Sequence, residues 1–394
     1  MKITRWFFAF LIVLLAPLAG LFAAQNSHKK RPSQGQYLAY VGAYTTKTNS
    51  KGIYVFRFDA TVGQAKAVGL AAESADPSFL AVHPDGQHLY AVNEVSEFGG
   101  QKSGAVSAFA IDRKTGKLTF LNQVATRGAG PCHVSLDRIG RFVLVANYDG
   151  GSVAVFPVQA NGSLGKDSDF VQHTGSGPNK ERQEAPHAHW IGTSPDNRFA
   201  LAVDLGLDEI LVYRFDSAKG LLSPNNPPFA KVNPGAGPRH LAFQRDGKFA
   251  YVLTEMENAV TAFAYSQKNG TLSELQTLSA LPKDYSGPKE AAELIVHPSG
   301  KFLYASNRAG VDSITAFAID PAKGTLRLVG RYLTRGRTPR HFAIDPTGAF
   351  LLAANEQSNN IVVFKIDIVT GGLTPTGQTV EVASPVCITF VPAE

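Results

Sequence analysis

The sequence predicts an all-β protein, a seven-bladed β-propeller of four-stranded blades whose last blade is closed by N- and C-terminal strands. Three observations predict it. An apolar hairpin pattern recurs along the 394 residues at spacings of 46 to 57 residues, and periods near 50 mark repeated supersecondary units. A second apolar strand pattern follows each hairpin, in seven copies. The composition is rich in turn formers and lightly charged, with 37 Gly, 23 Pro and 18% charged residues, which favours strands and tight turns.

The elements follow in chain order. Residues 1–24, "MKITRWFFAFLIVLLAPLAGLFAA", have a basic start and an apolar run, and read as a signal peptide cleaved near Ala23 or Ala24. Residues 25–36 form a polar linker, and 37–394 form a single propeller domain. The expected location is periplasmic or secreted; an uncleaved leader would tether the chain to a membrane. Lys2, Arg5, Lys29, Lys30 and Arg31 supply most of the net charge of +6. The body is therefore nearly neutral and lacks the footprint of a nucleic-acid binder.

"YLAYVGAYT" (37–45) is a strand in search of an inner partner. Six hairpins follow: "PSFLAVHPDGQHLYAVNE" (77–94), "PCHVSLDRIGRFVLVANY" (131–148), "AHWIGTSPDNRFALAVDL" (188–205), "PRHLAFQRDGKFAYVLTE" (238–255), "AAELIVHPSGKFLYASNR" (291–308) and "PRHFAIDPTGAFLLAANE" (339–356). Alternating apolar residues around Gly or Asn turns make each a pair of strands. "GAVSAFAID" (104–112), "DSITAFAID" (312–320) and their relatives supply third strands, and Gly-x-Leu elements open fourth strands. The stretch 172–186, polar and rich in Gly and Pro, reads as a surface loop, as does 278–292. "PVCITFVP" (385–392) is a seventh inner strand without a hairpin partner. Pairing it with "YLAYVGAYT" closes the ring and removes a sheet edge. Such a closed body is expected to be monomeric. Cys132 and Cys387 fall on blades that are not neighbours, so both are expected to be free, buried thiols.

In this fold the inner-strand starts and second-strand ends share one channel mouth. The starts carry His133, His187, His189, Arg239, His240, Arg340 and His341; the ends carry Asn147, Asp204, Glu255, Asn307, Arg308 and Glu356. The opposite ends carry ordinary turns such as "PDG" and "PSG". Arg239 and Glu255 face each other across the Asp246-Gly247 hairpin. One loaded face on a rigid scaffold is the pattern of a ligand site. Clustered Arg, Glu and His suit a small anionic molecule better than a protein partner, which would favour exposed aromatics. His187 and His189 lack acidic or thiol companions at metal-ligand spacing, so no metal and no other cofactor is expected. There is no G-x-S-x-G elbow and no phosphate-cradling P-loop.

The segments "YVGAYT", "GPRHLAF…YVLTE", "PHAHW…ALAVDLGLDEILVY" and "LYASNR…DSITAFAID" resemble the seven-bladed lactonase family, which includes propeller-type 6-phosphogluconolactonases and a carboxy-muconate lactonising enzyme. The resemblance runs from Tyr37 to near the chain end. It implies a catalytic set of His189, Arg239, Glu255 and Arg308; His133, Asn147, His187, Asp204, His240, Asn307, Arg340, His341 and Glu356 are candidate substrate-binding residues by their place at the mouth. It implies hydrolysis of a sugar-acid lactone by water, with Glu255 or His189 taking the water proton; the substrate is a small anionic lactone or carboxylic acid. A muconate-type cyclisation and a non-enzymatic binding propeller are the alternatives. An exported protein would not meet a phosphorylated lactone made in the cytoplasm.

Overall fold

Twenty-eight strands form seven four-stranded antiparallel sheets in the computed structural model, which describes residues 35–394 together with Lys2. Apart from Lys2, the expected signal peptide lies outside the described residues, as does the linker up to residue 34. Strand Gln36–Ala43 opens the domain, one residue earlier than the sequence suggests. No α-helix is present among the described residues.

Six sheets are contiguous in sequence, and the seventh is composite. Its inner strand is Pro385–Pro392, followed outward by Gln36–Ala43, Gly52–Asp59 and Gln64–Glu73. The expected closure by both chain ends is therefore present, with Tyr37 opposite Pro392 and Gly42 opposite Cys387.

The core lies between blades as seven separate clusters. One packs Phe199, Val203 and Ile210 of the third blade against Leu241, Val252 and Phe263 of the fourth. Another packs Phe56 and Phe58 of the composite blade against Phe350, Leu352 and Val363 of the sixth. The alternation that marks each strand thus has both faces apolar along the middle, because each blade is sandwiched by two others. Buried tyrosines tie neighbours together: the Tyr90 hydroxyl donates to the Gly162 carbonyl at 3.0 Å, and that of Tyr304 to Gly371 at 2.9 Å. Cys132 and Cys387 are free and buried, on blades with another blade between them.

The inner hairpins share a feature absent from the sequence pattern. Their register slips near the mouth in the second to sixth blades, at Pro131/His133, Ala188/Trp190, Pro238/His240, Ala291/Leu294 and Pro339/His341. Arg239 is therefore not paired with Thr254, as a regular hairpin would have it; Pro238 is. A residue skipped in this way bends its strand and re-aims its side chain.

Candidate active site

The skipped residues are the ones that arm the channel. Cys132, His189, Arg239 and Arg340 each sit at a bulge, where an apolar blade interior would otherwise surround them. Three of them, Cys132, His189 and Arg340, line a cavity of about 290 Å³ together with Glu94, Tyr148, Glu255 and Arg308 from second-strand ends. Glu290 and Arg182 complete the lining. Beneath it lies a void of about 10 Å³ bordered by Arg239, His240, Glu293 and His341, with Cys132 and Arg340 shared between the two; that is room for about one water.

Glu255 is the electrostatic centre. Its Oε2 lies 2.9 Å from Arg239 Nε and 3.2 Å from Arg308 Nη2, and its Oε1 lies 2.6 Å from Arg182 Nη2. Burial pushes its carboxyl up, but Arg308, Arg239 and Arg182 together outweigh burial and hold it at about 2. Arg239 responds to burial and to the repulsion of Arg308 and Arg340, which lower it to about 10 despite Glu255 and Glu293; it stays charged at neutral pH. Arg308 also donates to the Ala291 carbonyl at 3.1 Å, while its Nε has no partner.

On the other side, Arg340 Nη2 donates to the Tyr44 hydroxyl at 2.6 Å, which donates to Glu94 Oε2 at 2.9 Å. Burial raises the Glu94 carboxyl above its usual range against the pull of Arg340. His189 is buried, and burial, then Arg239 and His240, hold it well below the ordinary histidine range. It is a neutral imidazole facing a cavity rich in guanidinium groups. The Cys132 sulfur lies 3.6 Å from His189 Nδ1. Burial, reinforced by Glu94, raises that thiol so far that it is not a nucleophile at neutral pH.

The floor is a polar network, hydrogen-bonded from Arg239 through His240 to Glu293 Oε1, while Glu293 Oε2 has no hydrogen-bond partner among the described residues. Arg239 Nη1 lies 3.2 Å from His240 Nε2, and His240 Nδ1 lies 2.9 Å from Glu293 Oε1. The Ile388 amide donates to His341 Nδ1 at 3.3 Å, so the His341 proton is on Nε2, 3.2 Å from Glu293 Oε2. Burial lowers His240 well below its ordinary value and, against the pull of Glu293, brings His341 to about 4.

The remaining candidates fall elsewhere. Asn147 donates to the Thr126 carbonyl and the Ser152 hydroxyl, and Asn307 to Ser313 and Thr315. Both asparagines are fully buried inside their blades and are not brought to the cavity. Asp204 is likewise spent, on His173 at 2.6 Å and on the His187 and Gly206 amides. His187 stacks behind Tyr148 at 4.5 Å. His133 is wedged between Phe79 and Trp190 below the cavity. Glu356 lines a neighbouring surface depression with Lys47.

The stretch 172–186 is not merely a surface loop. His173 is buried against Asp204 and Tyr213, and Gln183 is fully buried, donating to the Leu205 carbonyl at 2.8 Å and to Asp208 at 2.7 Å. Arg182, next to that anchor, reaches over the mouth to Glu255. Glu94 and Tyr148 share a repeat column with Glu255 and Arg308, so the register could have found them. Nothing in the pattern marks Arg182 or Glu290.

A closed propeller with one small, arginine-lined polar cavity at the channel mouth is the scaffold of a small-molecule enzyme. The family described as lactonase, 7-bladed β-propeller, matches residues 38–390, and the chain belongs to it. A 6-phosphogluconolactonase of Bacillus subtilis is 42% identical over 90% of this chain and 99% of its own length. A 6-phosphogluconolactonase of Formosa agariphila is 38% identical over 87% of this chain and 96% of its own length. The periplasmic gluconolactonase of Pseudomonas aeruginosa superposes with a TM-score of 0.86 at 38% identity, over 91% of this chain and all of that one.

Proposed function

We propose that this protein is a carboxylic ester hydrolase that opens a sugar-acid lactone. The observation that carries the reading is a neutral, buried imidazole, His189, in the same cavity as Arg182, Arg308 and Arg340. Family membership and the relatives named as 6-phosphogluconolactonases support the substrate class.

In this reading His189 accepts a proton as water attacks the lactone carbonyl carbon. The oxygen that gains charge is stabilised by a neighbouring guanidinium, an interaction that strengthens as the charge develops. Collapse breaks the bond to the ring oxygen, which takes the proton back from His189 and leaves as a hydroxyl; the product is the open-chain acid. Glu255 is a poor base at about 2. Its role here is to hold Arg239, Arg308 and Arg182 in place. A 6-phosphate on the substrate, or the carboxylate formed in the product, pairs with the arginines that Glu255 does not neutralise.

Export of a monomeric body, as the leader suggests, would select an unphosphorylated lactone, and the periplasmic gluconolactonase relative favours that second substrate. Steady-state hydrolysis of δ-gluconolactone and of its 6-phosphate, corrected for spontaneous opening, decides between them. Turnover of neither above background would overturn the proposal.

A further inference from the structure

The first inner hairpin turns through His83-Pro84-Asp85-Gly86-Gln87-His88. This turn lies at the end of the channel opposite the cavity. The strand His88–Asn93 runs from it toward the mouth, where Glu94 lines the cavity, a span of about 20 Å at the usual rise per residue. His83 Nδ1 lies 3.0 Å from Asp85 Oδ1, and His88 Nδ1 lies 2.9 Å from Asp85 Oδ2. The donor atoms of the three side chains fall within 4.8 Å of one another. The other nitrogen of His83 lies 2.8 Å from the Gly140 carbonyl. That contact fixes the proton on Nε2 and leaves Nδ1 as a lone pair directed at the Asp85 backbone amide (3.2 Å) and carboxylate. A carbonyl holding the far nitrogen is the usual way a metal-binding imidazole is oriented.

The other blades are internal controls. The second strands of the second to sixth blades open with Phe142, Phe199, Phe249, Phe302 and Phe350, whereas this one opens with His88. Each of those rings packs on a glycine of an adjacent blade, as Phe142 does on Gly220, and His88 takes the same place against Gly162. Packing therefore asks only for a ring. The fifth-blade turn repeats the role of His83, with His297 Nε2 2.8 Å from the Gly348 carbonyl. There Ser299 stands in place of Asp85 and Phe302 in place of His88. Asp196 and Asp246 occupy the place of Asp85 in the third- and fourth-blade turns and, like it, accept the amide two residues on, so the architecture explains His83 and the carboxylate but not the second imidazole.

We propose that His83, Asp85 and His88 bind a divalent metal ion of the zinc type through two imidazole Nδ1 atoms and one carboxylate oxygen, with the remaining positions open to water. Bonds of about 2.0–2.2 Å to such ligands place adjacent donor atoms roughly 3 Å apart; each imidazole already stands at that distance from an Asp85 oxygen, His83 from Oδ1 and His88 from Oδ2, and the whole donor set lies within 4.8 Å. Imidazole with carboxylate is a ligand set that suits zinc and its neighbours rather than calcium or magnesium. Since His83 also bonds the second blade, the ion clips the first two blades together and stabilises the folded state by mass action.

The test is isothermal titration of untagged, chelator-stripped protein with zinc chloride, alongside His88→Phe and Asp85→Ser, the residues that the fifth blade carries at these places. The expected result is one site of micromolar affinity, weakened about tenfold or more in each variant, and a zinc-dependent rise in Tm that His88→Phe abolishes. No binding by the wild type up to about 1 mM, the weak limit of specific affinity, would overturn the proposal. So would a folded His88→Phe protein that binds zinc as tightly as the wild type.

Discussion

Glu255 shows how charge, rather than residue type, assigns a role. Its side chain and that of Arg239 are 7% and 3% exposed, so removing the carboxylate leaves buried guanidinium groups facing one another. Breaking a buried pair from one side costs about 3–5 kcal/mol. Glu255→Gln is therefore expected to melt well below the wild type, and millimolar inorganic phosphate should restore part of the loss by taking the place of the carboxylate. An unshifted Tm would contradict this role. The pH dependence has a definite sign. The folded carboxyl titrates at about 2, below its unfolded value of about 4.3, so its contribution is fully present above that value and is lost as the pH falls toward 2. For His189 the expectation differs. Its depressed value keeps it neutral, so kcat/KM should be flat from pH 8 to about 6 and fall only in more acidic solution. His189→Gln should lower kcat by about 10²–10⁴-fold with little change in Tm. An acid limb centred at or above the ordinary histidine value would remove His189 as the base. The sequence placed His189, Arg239, Glu255 and Arg308 around one channel mouth. It could not rank His189 over Glu255, because that ranking depends on Arg182, which arrives from an insert outside the repeat.

Strands and turns were readable because a hairpin announces itself twice, by apolar alternation and by a Gly or Asn at its turn. Gly247, at φ +70° in the opening of the Asp246-Gly247 turn, shows the physical reason: left-handed backbone is cheap only without a Cβ. The bulges were not readable. A skipped residue leaves the apolar positions on both sides in phase with the core, so Pro238-Arg239-His240 looks like a regular strand while its middle residue points into the channel. The insert 172–186 misleads for the opposite reason. Its polar composition suggests solvent, yet those polar groups are satisfied internally at Asp204, Leu205 and Asp208. Gln183 thereby acts as a positioning residue for Arg182. Gln183→Ala removes two buried hydrogen bonds and frees the neighbouring guanidinium. Steady-state assays should show KM rising several-fold, with kcat changed much less, if Arg182 binds substrate and transition state alike. Arg182→Ala should give the same pattern. A Gln183→Ala enzyme with wild-type KM would mean that the anchor does not govern the arginine.

At the scale of the whole molecule, stability resides in the ring. Each apolar cluster needs a blade on either side, and the cluster between the composite and sixth blades draws on Ala39, Val41 and Ile388 from strands at opposite ends of the described chain. The sequence disclosed this closure because it left one inner strand without a hairpin and one second strand without an inner partner. Nothing local could have joined them; only the count of seven did. Deleting residues 385–394 tests the consequence. The truncation removes the buried side chains of Val386, Cys387, Ile388 and Val391. It also strips the hydrogen-bonding partner from Gln36–Ala43, leaving an apolar, unpaired strand edge of the kind that templates aggregation. The cluster that holds Phe350 and Val363 of the sixth blade loses Ile388 and the packed Phe390, so the damage is not confined to one sheet. Size-exclusion chromatography with thermal melting should find the truncated protein aggregated and without a cooperative transition. A truncated protein that elutes like the wild type and retains its melting curve would show that six complete blades hold the ring without the terminal strand.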